Sequence, residues 1–255
     1  STGIECCLHC VVGQRTTEAH TTRCVAIRDP LQPGLDRCVR AADDVKPNLR
    51  YVFDNLPDGL DLGSSVAIDC ETMGLNPNRD RLCLVQLSSG DGDAHIVQMD
   101  RDRYDAPNLK TLIQNEAVTK IFHFARFDVA IIKRDLDVDV SPIFCTKIAS
   151  GLVRTYTDRH GLKDICKELL AVDLSKQQQS SDWASDELSE AQLNYAASDV
   201  LYLHQLKTIL TARLLRENRY DMAKACFEFL PTRAALDIGG WDDVDIFSHR
   251  MRRNN

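Results

Sequence analysis

The chain has no uninterrupted apolar stretch of roughly eighteen residues, the length a membrane-spanning helix needs. No basic segment runs into an apolar one near its start, so the pattern predicts no secretory leader. Paired C-x-x-C knuckles are missing as well, although ten cysteines are present. Five of them (Cys6, Cys7, Cys10, Cys24, Cys38) gather early with His9 and His20, at spacings that do not suit a structural zinc. The other five, Cys70, Cys83, Cys145, Cys166 and Cys226, sit in apolar surroundings and read as buried thiols of a reducing cytoplasm. A basic excess is also lacking. The net charge is −7, which argues against a sequence-independent grip on long polyanions. The first 49 residues are charge-balanced, so the remainder carries the whole excess. Any phosphate-binding surface must be local, or metal ions must supply the positive charge. There is no internal repeat, and no low-complexity tract beyond Gln177-Gln178-Gln179.

What is there suffices for one large domain: 255 residues, 44% of them hydrophobic. Residues 1–48 show weak periodicity and read as a poorly ordered N-terminal extension; residues 49–255 form the domain. Strand-like runs fall at Ser65–Asp69, Leu82–Ser88 and Ala94–Met99, with a hairpin turn at Ser89-Gly90-Asp91-Gly92-Asp93. A helix is predicted at Asn108–Glu116, then a buried strand at Lys120–Phe124. Helices follow at Arg126–Leu136, Ile143–Val153 and Leu162–Leu170. Ser189–Glu217 reads as one long helix opened by a serine cap, with a tail helix near Asp221–Leu230. That order fits a three-layer α/β fold with a mixed central sheet and a helical C-terminal half.

The chemistry starts at Val66-Ala67-Ile68-Asp69-Cys70-Glu71-Thr72. Alternate residues of a strand share a side, so Asp69 and Glu71 face one way together. Adjacent carboxylates repel unless a cation sits between them. Alone, D-x-E is a weak signal, since an edge strand with a polar face gives the same letters. Partners appear downstream. Asp128 falls in the first turn of a helix, where the dipole favours an anion. Tyr195 and Asp199 lie four apart on an apolar helix face, where an unpaired carboxylate is costly.

The order D-x-E, F-D, Y-x-x-x-D is that of the three motifs of the DEDD exonuclease superfamily, tyrosine subclass. The chain resembles RNase D-type 3′–5′ exonucleases. Lys176-Gln177-Gln178-Gln179-Ser180-Ser181-Asp182-Trp183 is similar to the stretch before the third motif in that family. The runs Arg79–Leu87, Phe144–Ser150 and Tyr156–Lys163, with Phe247-Ser248-His249, are similar to the nano-RNase C (diribonucleotidase) branch, over about Leu49 to His249. Two positions depart from the pattern. Cys70 stands where relatives usually have threonine, with its side chain expected to point away from the metals. Ser180 stands where they often carry arginine.

The resemblance implies an RNase H-like fold and a two-metal hydrolase that uses Mg²⁺ or Mn²⁺. Asp69, Glu71 and Asp199 would hold one ion, and Asp69 and Asp128 the other, an all-oxygen set that disfavours zinc. Tyr195 would orient the attacking water. Thr72, Met73, Gly74 and Leu75 would cradle the 3′ nucleotide, with Leu75 wedged between bases. A turn residue packed on the sheet is the rival reading of Leu75. His123 and Phe124 are candidates to contact a base, against core packing as the alternative. Arg159, His160, Lys176 and Gln179 are candidates for a 5′ phosphate. The implied substrate is short RNA, dinucleotides above all, with longer RNA or DNA 3′ ends as the alternative and a non-catalytic scaffold as the third reading. The resemblance further implies a bacterial cytoplasmic protein that assembles into a homo-oligomer, an octameric ring.

Overall fold

The structure is a computed structural model that describes residues 24–27, 37–40 and 47–249. The chain divides at Val45/Lys46 into two units. In the first unit β1 (Cys24–Ile27) and β2 (Arg37–Arg40) pair antiparallel, where no strand was expected. The rest of the expected extension, and the early cysteines outside those strands, lie outside the described residues.

The second unit is built on six strands: β3 (Leu49–Phe53), β4 (Ser65–Thr72), β5 (Leu82–Ser88), β6 (Ala94–Gln98), β7 (Thr119–Phe122) and β8 (Ile143–Cys145). Their order across the sheet is β3-β6-β5-β4-β7-β8. β4, β5 and β6 form an antiparallel meander, while β3, β7 and β8 add in parallel, so the sheet is mixed as expected. The β5–β6 connection turns at Gly90 and Gly92, both at positive φ (83° and 99°) that a side chain resists. β5 and β6 are buried along their whole length, which places the middle of the core on the meander.

Seven helices follow in the described residues: α1 (Pro107–Gln114), α2 (Ala125–Ile131), α3 (Thr146–Val153), α4 (Leu162–Leu170), α5 (Glu190–Leu201), α6 (Leu203–Arg216) and α7 (Tyr220–Leu236). Four differ clearly from the expected boundaries, and α7 simply runs on from the expected Leu230 to Leu236. The run at Ile143 opens as strand β8, because Ile143, Phe144 and Cys145 pair with β7; only from Thr146 does it become helix. The expected long helix breaks at Tyr202 (φ −102°, ψ −5°) into α5 and α6. The apolar stripe runs unbroken through both, but α5 packs on β3 to β6 while α6 packs on α3, α4 and β7. Two different partners require two axes. The helix begun at Ala125 relaxes after Ile131 into a wider π turn over Ile132–Leu136. Among the described residues no helix is long and apolar enough to cross a membrane.

Candidate active site

β4 supplies the first two acids. Asp69 and Glu71 alternate with buried Ile68, Cys70 and Thr72, so both project from one face. The β4–β5 register slips between Glu71 and Thr72, a bulge at the site that re-aims the following loop. α5 packs on that face of β4 and brings Asp199 with it. Carboxylate oxygens of Asp69, Glu71 and Asp199 lie within 4.8 Å of one another. Asp128, in the first turn of α2, completes the set. β7 pairs with β4 only as far as Ala67. The N–H of Cys70 is therefore free of that ladder, and it donates to Asp128 Oδ1 at 3.0 Å. The Cys70 thiol also bonds to Asp128 rather than pointing away from the acids, and Cys70 lines the same cleft.

Burial raises the pKa of all four acids; repulsion from neighbouring carboxylates raises Glu71, Asp128 and Asp199 further, while hydrogen bonds from Gln86 and the Cys70 N–H pull Asp69 partly back. None of the ion pairs among the described residues involves any of them. The side chains and the strand N–H that donate to them are neutral: Gln86 Nε2 to Asp69 Oδ2 at 2.7 Å, the Cys70 N–H and thiol to Asp128, and the Tyr195 hydroxyl to Asp199. Four clustered oxygen ligands with no protein cation suit a hard divalent ion. Burial first, and Asp199 second, push the Tyr195 phenol above its ordinary value, so it stays a hydrogen-bond donor. Its ring packs against buried Trp183 at 6.0 Å.

These five side chains line one cleft of about 640 Å³. Thr72, Met73, Gly74, Leu75, His123, Phe124, Lys176 and Gln179 line it too. Leu75 is 87% exposed and Met73 60%, so Leu75 stands free at the rim and does not pack on the sheet. The loop that carries them is pinned from below. The Thr72 hydroxyl donates to Gly74 O, and a Cβ on Gly74 would meet Asp80 Oδ2 at 2.3 Å. Arg79 and the Asn76 N–H fix that Asp80 carboxylate and hold its pKa down at about 2. Phe124 takes a left-handed backbone (φ 68°) as it caps α2, and its exposed ring lies 4.1 Å from Lys147 Nζ. The Thr146 hydroxyl donates to Phe122 O and so accepts from His123 Nδ1 at 2.9 Å. Burial, with Lys147 second, lowers the His123 pKa to about 3, which keeps the ring neutral.

The remaining two candidates do not line the acid cleft, although the His160 backbone bonds His123 at its edge. His160 bonds through Nδ1 to Ser150 Oγ at 2.9 Å and lines a neighbouring apolar cavity of about 690 Å³. Arg159 lines neither cavity. Lys147, Trp183 and Ser180 share the acid cleft. Sequence reasoning gave Lys147 and Gln86 no role; a lone amide inside the apolar run Leu82–Leu87 was the visible signal for Gln86.

A mixed sheet that gathers four carboxylates and a tyrosine into one cleft defines a hydrolase of the exonuclease class. The chain belongs to the 3′–5′ exonuclease family, whose model matches residues 53–215. Among curated proteins it is similar to ribonuclease D of Acidiphilium cryptum, 34% identical over 65% of this chain and 42% of that protein. Ribonuclease D of Gluconacetobacter diazotrophicus is 33% identical over 73% of this chain and 46% of its own length. The chain thus spans less than half of those relatives. Among solved structures it is similar to Brucella melitensis NrnC bound to pGG, at 55% identity and TM-score 0.78, covering 80% of this chain and all of that one. The same protein with bound Mg²⁺ matches at 54% identity and TM-score 0.77. Escherichia coli RNase D, at 22% identity and TM-score 0.59, shares the fold.

Proposed function

We propose that the chain is a metal-dependent 3′–5′ exoribonuclease that hydrolyses short oligoribonucleotides, dinucleotides above all, to nucleoside monophosphates. The observation that carries the reading is the convergence of Asp69, Glu71, Asp128, Asp199 and Tyr195 on one cleft. The rim adds to it: exposed Leu75 and Met73 on one side, Lys176 and Gln179 on the other. The similarity to NrnC bound to pGG supports a two-nucleotide substrate. The acidic balance of the chain also favours it, since a short substrate needs no long basic groove.

Asp69, Glu71 and Asp199 would hold one divalent cation, and Asp69 and Asp128 a second, Mg²⁺ or Mn²⁺ by the all-oxygen donor set. Bound there, the ions supply Lewis-acid activation of water and relief of charge on the phosphoryl oxygens. The chain's own groups do the rest. Tyr195 keeps its proton; once Asp199 turns to a cation, the hydroxyl is released from that carboxylate to donate to the attacking water and aim it at phosphorus. Leu75 and Phe124 offer apolar faces on which bases stack. Lys176 and Gln179 approach the 5′ phosphate as charged and neutral donors. Trp183 closes the cleft behind Tyr195.

Residues 49–255 carry this activity, and residues 1–48 are an extension to it. Five free cysteines among the described residues fit a reducing cytoplasm. Exposed Phe124, Met222 and Phe247 around the apolar cavity support a homo-oligomer, which light scattering of the full chain decides.

The test compares 5′-labelled dinucleotides with longer RNA and DNA strands, with Mg²⁺ or Mn²⁺ present. Dinucleotides should disappear fastest, and Asp199→Ala should abolish turnover. Surviving two-mers beside shortening long strands would make the protein a broader 3′-end exonuclease. Unchanged turnover in Asp199→Ala would sink the acid cluster as the catalytic site.

A further inference from the structure

We infer that Gln86 is a positioning residue for the metal site: it fixes the carboxylate of Asp69 in the orientation that receives the cations. The inference rests on the metal reading above and goes beyond it to a residue outside the acid set.

Gln86 lies in the apolar run Leu82–Leu87 of β5 and is fully buried. It is the direct cross-strand partner of Asp69 in the antiparallel β4–β5 pair. Directly opposed residues project from the same face, so the amide meets the carboxylate without bending either strand. Nε2 donates to Asp69 Oδ2 at 2.7 Å. The other end of the amide, Oε1, is buried with no hydrogen-bond partner. One side-chain bond is thus all that this amide makes in the interior. A buried polar group is unfavourable unless its bonds are satisfied, so leucine or methionine would serve packing better at this position. The single bond that Gln86 does make goes to a site carboxylate, and that is the contact the position serves.

The chemistry explains why the partner is an amide. Asp69 is crowded by Glu71, Asp128 and Asp199, and repulsion drives its side chain to turn away from them. A donor behind it opposes that turn. Lysine or arginine would hold it too, but each would cancel the charge that attracts a cation. A neutral N–H holds the carboxylate and leaves its charge intact. The opposite amide orientation would set Oε1 against a carboxylate oxygen, so only one orientation is allowed. A carboxylate has about four lone-pair sites. Gln86 occupies one on Oδ2, so lone pairs remain for the ions.

The test is Gln86→Met, which keeps length and apolar packing and removes the donor. Mg²⁺ binding is titrated calorimetrically without RNA, on wild type and variant together, and melting is followed in EDTA. The variant should bind Mg²⁺ about 10- to 100-fold more weakly, with its EDTA melting temperature no lower than wild type. Activity should recover when Mg²⁺ is raised, with the dinucleotide KM unaltered. Wild-type Mg²⁺ affinity in a folded variant overturns the inference. Should Gln86→Met fail to fold, Gln86→Asn, whose amide is one methylene short of the carboxylate, carries the same expectation. Collapse of both makes Gln86 a core residue and also overturns it. A wild type that binds no Mg²⁺ overturns the metal reading itself, a result separate from either.

Discussion

At the residue scale the site is a contest between like charges. Each acid was legible because its spacing mirrors its placement: two apart on a strand, in the first turn of a helix, four after a tyrosine on an apolar face. Cys70 was read only halfway. Strand alternation puts its side chain off the Asp69 face, and that much follows from sequence. That Asp128 reaches the same point of the backbone depends on where β7 stops pairing, which no local pattern reveals. Gln86 was missed for the same reason, since its meaning lies in a cross-strand register. Tyr195 offers the sharpest residue-level test. Its phenol stays protonated, so Tyr195→Phe removes a donor to water and no ligand. Turnover should drop about 10²-fold, with Mg²⁺ affinity within a few-fold of wild type. A matching loss of Mg²⁺ binding would recast the tyrosine as part of the ion site.

At the element scale strands β5 and β6 and helix α4 matched the expected spans closely, because burial and helical periodicity were unambiguous there, while β4 runs on from the expected Asp69 to Thr72. Misreadings fell where tertiary partners decide. A short apolar run such as Ile143–Cys145 suits a strand or a helix equally, and only β7 beside it settles which. The break at Tyr202 was invisible because the apolar stripe continues through it. α5 is the element on which the site depends, since it carries both Tyr195 and Asp199. Its start is a reciprocal cap: Gln192 N–H donates to Ser189 Oγ at 3.3 Å, and Ser189 N–H to Gln192 Oε1 at 3.0 Å. Ser189→Ala should cost about 1 kcal/mol, which lowers the melting temperature by roughly 2–4 °C in a domain of this size. Differential scanning calorimetry reads that shift, and an unmoved transition would mean the cap adds nothing.

At the scale of the whole molecule, three distant stretches of chain are folded together against their own repulsion. Asp69 rises from 3.8 to about 7 in the metal-free fold, chiefly through burial, and Glu71, Asp128 and Asp199 are raised as well. Groups whose folded pKa is raised keep protons that the unfolded chain has released, so stability falls as pH rises. Below the unfolded value this penalty is absent. His95, His123 and His204, lowered by burial, act in the opposite sense only up to their unfolded value near 6.5. From pH 7 to 8 the acids therefore prevail. In EDTA the melting temperature should decline over that interval, and the rise produced by Mg²⁺ should be larger at pH 8 than at pH 6. Equal Mg²⁺ effects at both values would argue against proton–cation competition at the cluster.

The bond from Asp128 to the Cys70 N–H has a practical corollary for anyone who wants a dead enzyme that still captures its substrate. Alanine at 128 would strip away more than a ligand, because it leaves the buried Cys70 N–H without its acceptor. Such a protein is destabilised as well as silenced, and a trap built on it would mix lost folding with lost chemistry. Glu71 and Asp199 shield no backbone in this way, and they are the safer places to silence the chemistry.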